Sequence, residues 1–224
     1  MNNLSFDAII FDFDGTLIDT ETADFAACRV LYEELEANLT LERWAATVVG
    51  VQDGYDILFD ELVRQSKNGL TKADLWRRIH QLWDLTLQDM GVMPGVERLL
   101  SELQTAGYPL AIATASDRAW VNRWLAHFRL APYFQTIATG DDVCHNKPAP
   151  DVFLLAASNL DIRPARCLVF EDSMAGTLSA KSAGMTVIAV PSPVTQSLDF
   201  SQADRVIAGL EQVTLTWIEA LGNV

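Results

Sequence analysis

The chain has 224 residues, which is long for a single domain of about 150 residues and short for two. Half of the residues are hydrophobic and 21% are charged, so the chain can form a substantial core and is not intrinsically disordered in composition. The net charge of −14, with no basic run to offset it, disfavours nucleic acid and anionic membrane surfaces as partners.

The cysteines and the N-terminus bear on the cellular compartment. Cys28, Cys144 and Cys167 are widely spaced and contain no C-x-x-C, which argues against a disulfide framework or a zinc knuckle. No apolar stretch approaches the roughly 18 residues that span a bilayer. Residues 1–5 lack the basic start and apolar run of a signal peptide. We therefore expect a soluble, cytoplasmic protein. Separately, we expect a monomer.

Short apolar runs rich in β-forming residues predict five strands. Their mostly continuous pattern is typical of strands buried on both faces of a parallel sheet. The first run, residues 6–11, is followed by a segment from about 18 to 90 with no strand-like run of comparable strength. The remaining runs are residues 110–113, 137–139, 167–170 and 187–190.

The segment from about 18 to 90 predicts helices. Residues 71–90 place Leu75, Ile79 and Leu82 on one helical face, and Thr71 with Asp74 forms an N-terminal capping signal. The segment is too long for a crossover and too apolar for a loop. It predicts a helical subdomain, residues 18–90, inserted in an α/β core formed by residues 1–17 and 91–224.

From residue 91 onward, helical patterns alternate with the strands. They cover residues 94–104, 149–159 and 174–183, and Gly107 and Gly184 supply stop signals after the first and the third. Alternation of this kind predicts an α/β fold with a parallel sheet and right-handed crossovers.

Polar residues follow several of the predicted strands. Ligands of open parallel sheets bind beyond the carboxyl ends of the strands, so these residues are the candidate site. They are Asp12 and Asp14 after the first strand, Thr114, Ala115 and Ser116 after the second, Glu171 and Asp172 after the fourth, and Lys147 before a predicted helix.

The two aspartates after the first strand suggest metal-assisted phosphoryl transfer. Asp12 and Asp14 are two residues apart, so both side chains lie on the same side of an extended chain. Carboxylates brought together in this way suit Mg²⁺, which would permit one aspartate to attack a phosphoryl group. The other aspartate could act as general acid and base. Lys147 and the Thr114 hydroxyl would hold the phosphate oxygens.

The motifs together resemble the haloacid dehalogenase superfamily of phosphotransferases. They are D-x-D-G-T at residues 12–16, Thr114 at a strand end, Lys147 in K-P-x-P, and E-D-S-x-x-G at residues 171–176. The helical insert is similar to the α-helical cap of the β-phosphoglucomutase-like branch. The resemblance implies a Rossmann-like core and a phosphatase with a small phosphorylated metabolite as substrate.

The resemblance also implies a role for each motif residue. Asp12 is the nucleophile and a Mg²⁺ ligand, and Asp14 is the general acid/base and ligates Mg²⁺ through its backbone carbonyl. Asp172 completes the metal site with support from Glu171. Thr114 and Lys147 bind phosphate, and the adjoining Ala115 and Ser116 are substrate-binding candidates.

Two other functions stay open at this point. A β-phosphoglucomutase would carry a histidine and an arginine in the cap where this chain has Asp24 and Asp53, so an acidic cap favours hydrolysis over the mutase reaction. A non-catalytic binding protein on the same fold is the second alternative, and the filled catalytic positions weigh against it.

For several other residues the sequence favours a structural role. His80, His127 and His145 form no spaced ligand set. We expect the pairs Trp76 with Trp83 and Trp120 with Trp124 to pack in the core.

Overall fold

The computed structural model describes residues 6–51, 53–66 and 69–221. Residues 1–5, on which the signal-peptide argument rests, lie outside the described residues, and so does Gln52 in the stretch that contains Asp53. Across the described ranges, no helix has the length and apolar character that crossing a bilayer requires.

The described residues form one six-stranded sheet in which all neighbouring strands are parallel, in the order β3-β2-β1-β4-β5-β6. The strands are β1 (Ala8–Phe11), β2 (Leu110–Ala113), β3 (Thr136–Ala138), β4 (Cys167–Glu171), β5 (Thr186–Ala189) and β6 (Arg205–Val206). The predicted α/β fold with a parallel sheet is confirmed. The sequence missed β6, because its two exposed residues form no apolar run.

Helices α1 to α4 lie between β1 and β2 along the chain, and the later helices alternate with strands. They are α1 (Thr20–Glu34), α2 (Leu41–Val48), α3 (Gly54–Gln65), α4 (Lys72–Thr86), α5 (Val96–Thr105), α6 (Arg118–His127), α7 (Asp151–Asn159), α8 (Met174–Ser182) and α9 (Leu215–Leu221). The capping box of Thr71 and Asp74 begins α4 as predicted. The helix ends at Thr86 rather than at residue 90, and a short 3₁₀ turn, Leu87–Asp89, follows it.

The two faces of the sheet carry separate hydrophobic clusters. Along β1, Ile9 and Phe11 belong to one cluster and Ala8 and Ile10 to the other, as the two-residue period of a strand requires. All four side chains are fully buried. Helices therefore cover both faces of the sheet, and the end of β1 lies between them.

Helices α1 to α4 have a hydrophobic cluster of their own. Its largest buried members include Trp44, Leu58, Phe59 and Ile79. Two chain segments join these helices to the sheet, and they run side by side. The Asp19 amide donates to the Gly91 carbonyl at 2.9 Å, and the Met93 amide donates to the Leu17 carbonyl at 2.9 Å.

Candidate active site

The residues predicted from the strand ends all lie around one cavity of about 360 Å³. Asp12, Thr114, Lys147 and Asp172 are nearly completely buried, and Glu171, the last residue of β4, is fully buried. Asp14, Ala115 and Ser116 are half-buried and line the same cavity. The parallel register brings these residues together, because it aligns the carboxyl ends of β1, β2 and β4.

Lys147 joins two carboxylates at the floor of the cavity. Its Nζ donates to Asp12 Oδ1 at 2.5 Å and to Glu171 Oε1 at 2.8 Å. Burial alone would lower the pKa of Lys147, but the charges of Asp12 and Glu171 raise that pKa above its usual value. The side chain therefore remains a cation. It can bind an anion that enters the cavity beside these carboxylates.

Asp12 is a buried carboxylate whose protonation state depends on the charged groups around it. Burial raises its pKa to about 7, with the nearby Glu171 adding to the rise and Lys147 opposing it. A bound cation would favour the ionised form further. A carboxylate that is poorly solvated and held by one lysine is suited to nucleophilic attack.

Asp172 shows where a cation would fit. Both of its carboxylate oxygens are buried, and no N–H or O–H group of the described residues donates to them, apart from a proton that Asp172 would have to share with Glu21. Oxygens of Asp12, Glu171 and Asp172 lie within 4.8 Å of one another. Mg²⁺ prefers oxygen ligands, and these three buried carboxylates supply them. No described residue donates a hydrogen bond to Asp172 in the absence of a shared proton, so a cation would compensate its charge.

Asp14 is held by two donors from the loop and helix after β2. Ser116 Oγ donates to Asp14 Oδ2 at 2.6 Å, and Trp120 Nε1 donates to Asp14 Oδ1 at 2.9 Å. Trp120 packs against the core as predicted, and it also has a polar role at the cavity that the sequence analysis missed. Trp124 is buried in the core, while Trp120, four residues earlier on α6, lines the cavity. Asp117 accepts from the Trp120 amide and caps α6.

The loop after β2 is fixed from several sides. The Ser116 amide donates to Thr114 Oγ1 at 3.0 Å, and Asn146 Nδ2 donates to the Ala115 carbonyl at 2.9 Å. Asn146 also precedes Lys147, so one side chain links the loop to the lysine segment. The Thr114 hydroxyl and the backbone of the loop are therefore preorganised at the cavity.

Glu21 is a site residue that the sequence analysis missed. It lies in the first turn of α1, where an acidic residue is ordinary, yet it is buried and lines the cavity beside Asp172. Ser192 Oγ donates to Glu21 Oε2 at 2.8 Å. Burial raises the pKa of Glu21 to about 8. Nothing in the sequence around Ser192 indicates this contact, which joins residues 171 positions apart.

The side of the cavity formed by α1 to α4 carries Asp24, Tyr55 and Trp83. Trp83 Nε1 donates to Asp24 Oδ1 at 2.6 Å, and the Tyr55 hydroxyl donates to the same oxygen. Burial raises the pKa of Asp24 to about 6, against the effect of both donors. Trp76 packs on Tyr55 and Phe59 as expected for a core residue, whereas Trp83 also lines the cavity.

Comparison with known proteins identifies the family. The family model described as haloacid dehalogenase-like hydrolase matches residues 9–190. The chain belongs to this family. The resemblance seen in the motifs is confirmed, and the fold and the hydrolase class follow from it.

Individual relatives of this haloacid dehalogenase-like hydrolase point the same way. Protein CbbY of Rhodobacter capsulatus is 36% identical over 209 residues, or 88% of this chain and 90% of CbbY. Fructose-1-phosphate phosphatase YqaB of Escherichia coli is 30% identical, over 81% of this chain and 95% of YqaB. A solved structure of a family hydrolase from Deinococcus radiodurans, with bound phosphate and sodium, matches with a TM-score of 0.80 at 26% identity and covers 98% of each chain. The prediction of a phosphatase enzyme is confirmed.

Proposed function

We propose that this protein hydrolyses small phosphomonoesters through a covalent intermediate on Asp12, with Mg²⁺ as cofactor. The observation that carries the proposal is the pairing of Lys147 Nζ with Asp12 Oδ1 at 2.5 Å, with Asp14 and Asp172 on the same cavity. One lysine beside a buried carboxylate can draw a phosphoryl group toward that carboxylate. Fructose 1-phosphate, from which the relative YqaB takes its name, belongs to the proposed substrate class.

Each step has a residue to perform it. Asp12 attacks phosphorus, the bond from phosphorus to the leaving oxygen breaks, and Asp14 gives that oxygen its proton. Asp14 then takes a proton from water, which attacks phosphorus and releases Asp12. Ser116 and Trp120 hold Asp14 in position for both transfers. Lys147, the Thr114 hydroxyl and the loop backbone at Ala115 and Ser116 bind the phosphate oxygens.

Mg²⁺ would be held by Asp12, Asp172 and the Asp14 carbonyl, with Glu171 in support. When bound, it supplies positive charge that offsets the phosphate and the surrounding carboxylates. The orphaned oxygens of Asp172 are the structural support for this assignment.

We also propose that residues 18–90 act as a cap on a core formed by residues 1–17 and 91–224. The separate hydrophobic cluster of α1 to α4 supports this division. The two joining segments near Leu17–Thr20 and residues 91–94 would let the cap open for substrate and close to control water.

The test is phosphate release from a generic aryl phosphate. The wild-type protein should turn over only with Mg²⁺, and Asp12→Asn and Asp14→Asn should each lower kcat by about 100-fold or more. Asp53→Asn, an exposed cap residue that does not line the cavity, is the matched control and should keep the wild-type rate. Turnover that survives Asp12→Asn would overturn the proposal.

The same assay addresses the other functions. Interconversion of glucose phosphates without release of phosphate would instead show a mutase. Ligand binding without turnover of any phosphate ester would show a binding protein.

A further inference from the structure

The cavity has an uneven charge distribution. Seven of its lining residues are Asp or Glu, and Lys147 is the one basic residue among the lining residues that the structure describes. Lys147 already contacts Asp12 and Glu171, so it belongs to the phosphate end. A bound Mg²⁺ would also sit at that end, against Asp172. On the side formed by α1 to α4, Asp24 lines the cavity and no described basic residue lies beside it.

Asp24 can accept a further hydrogen bond. Both of its protein donors, Tyr55 and Trp83, bind Oδ1, and no described residue donates to Oδ2. A carboxylate that is fixed on one oxygen and open on the other binds donors, and binds cationic donors best. It repels a second phosphate or a carboxylate, because the cavity offers no compensating charge near it.

Two aromatic side chains contact this acid. Tyr55 and Trp83 lie 5.5 Å apart between ring centroids and nearly perpendicular, and Trp120 lines the same cavity from α6. Ring faces of this kind attract an ammonium group as well as apolar carbon. The carboxylate and the rings thus select the same chemistry.

We propose that the leaving group of the substrate carries a hydrogen-bond donor, best an ammonium group and next a hydroxyl group, which binds Oδ2 of Asp24 beside Tyr55 and Trp83, and that it carries no second anion. The inference rests on the proposed function and narrows its substrate to phosphates of amino alcohols and neutral polyols. Asp24 is then a specificity-determining residue, separate from the residues that perform the chemistry.

Three substrates of nearly equal size test the inference: 2-aminoethyl phosphate, 2-hydroxyethyl phosphate and phosphoglycolate. Wild-type kcat/KM should fall in that order, with the carboxylate at least about tenfold below the ammonium compound, since a charge-assisted hydrogen bond is replaced by repulsion. Asp24→Asn should remove most of that ratio, and Asp53→Asn should preserve it. A carboxylate substrate that equals or exceeds the ammonium one would overturn the inference.

Binding separates this inference from the proposed function. Calorimetric titration of the three compounds into Asp12→Asn protein with Mg²⁺ should give the same order of affinity without turnover. If the order holds in binding while the wild-type protein releases no phosphate, the hydrolase proposal alone fails. If the wild-type protein releases phosphate but neither rates nor affinities discriminate, the assignment of Asp24 fails.

Discussion

Lys147 lies in a buried cluster of charges. Its ammonium group separates Asp12 from Glu171, and all three side chains are almost fully buried. Removing one partner of a buried ion pair leaves charge without compensation. In the metal-free protein at pH 8, Lys147→Met should lower the free energy of unfolding by about 3 to 5 kcal/mol, measured by urea denaturation in EDTA.

A surface lysine provides the control for that experiment. Lys181 pairs with Asp204, and both side chains are about a third exposed. Lys181→Met should cost less than about 1 kcal/mol. Equal losses from the two substitutions would contradict the view that burial makes the Lys147 cluster costly to break.

Trp120 is the residue of α6 that contacts the proposed general acid/base, Asp14. Its Nε1 donates to Asp14 Oδ1, whereas the buried Nε1 of Trp124 has no hydrogen-bond partner in the part of the chain that the structure describes. Trp120→Phe keeps a ring and loses the donor, so kcat should fall by about tenfold while KM changes little. This separate response of kcat and KM is expected because Trp120 orients Asp14 and acts only through it.

Trp124→Phe is the matched control for this positioning role. It removes an indole nitrogen that contacts no hydrogen-bonding group among the described residues, so kcat and KM should both keep their wild-type values. An unchanged kcat in Trp120→Phe would show that Ser116 alone positions Asp14.

At the scale of elements, α8 is fitted tightly to the end of β4. A Cβ at Gly176 would lie 1.5 Å from Glu171 Oε1. Helix propensity favours alanine over glycine by about 1 kcal/mol, yet Gly176→Ala should destabilise the protein and lower kcat, because Glu171 must leave its bonds to Lys147 and Ser173. Thermal unfolding and phosphate release measure the two effects.

An exposed position on the same helix shows what alanine does without the clash. Ser182→Ala, at the last residue of α8, should change stability by less than about 0.5 kcal/mol and leave kcat unchanged. If Gly176→Ala behaved like Ser182→Ala, the helix would have room to shift away from β4.

The elements also show what a sequence can predict. Strands β1, β2 and β4 are apolar runs bounded by polar residues, so the local pattern predicts where each strand ends. The geometry of a parallel sheet then places the residues at those ends, Asp12, Thr114 and Glu171, along one edge. The contact of Glu21 with Ser192 depends on how the segment after β5 folds back over α1, and no local pattern records it. The contact of Trp120 with Asp14 likewise depends on the direction of α6.

At the scale of the whole molecule, the net charge of −14 includes several acidic side chains that are buried together at one site. Burial raises the pKa of Asp12 to about 7, that of Glu21 to about 8, and that of Asp172 well above its usual value. The folded metal-free protein therefore binds more protons than the unfolded chain between about pH 5 and 8. Burying these carboxylates in the ionised form destabilises the folded state. This destabilisation is fully present above the pKa values of the folded protein and disappears as the pH falls to the pKa values of the unfolded chain.

The stability of the metal-free protein should consequently rise on mild acidification. In EDTA, the Tm should increase by several degrees between pH 8 and pH 6, because each extra proton bound is worth up to about 1.4 kcal/mol per pH unit. Mg²⁺ should raise the Tm most at pH 8, since a metal binds the deprotonated carboxylates and competes with those protons. A Tm in EDTA that falls steadily from pH 8 to pH 6 would contradict this expectation. It would mean that the carboxyl groups are ionised in the folded, metal-free protein and that Lys147 alone compensates their charge.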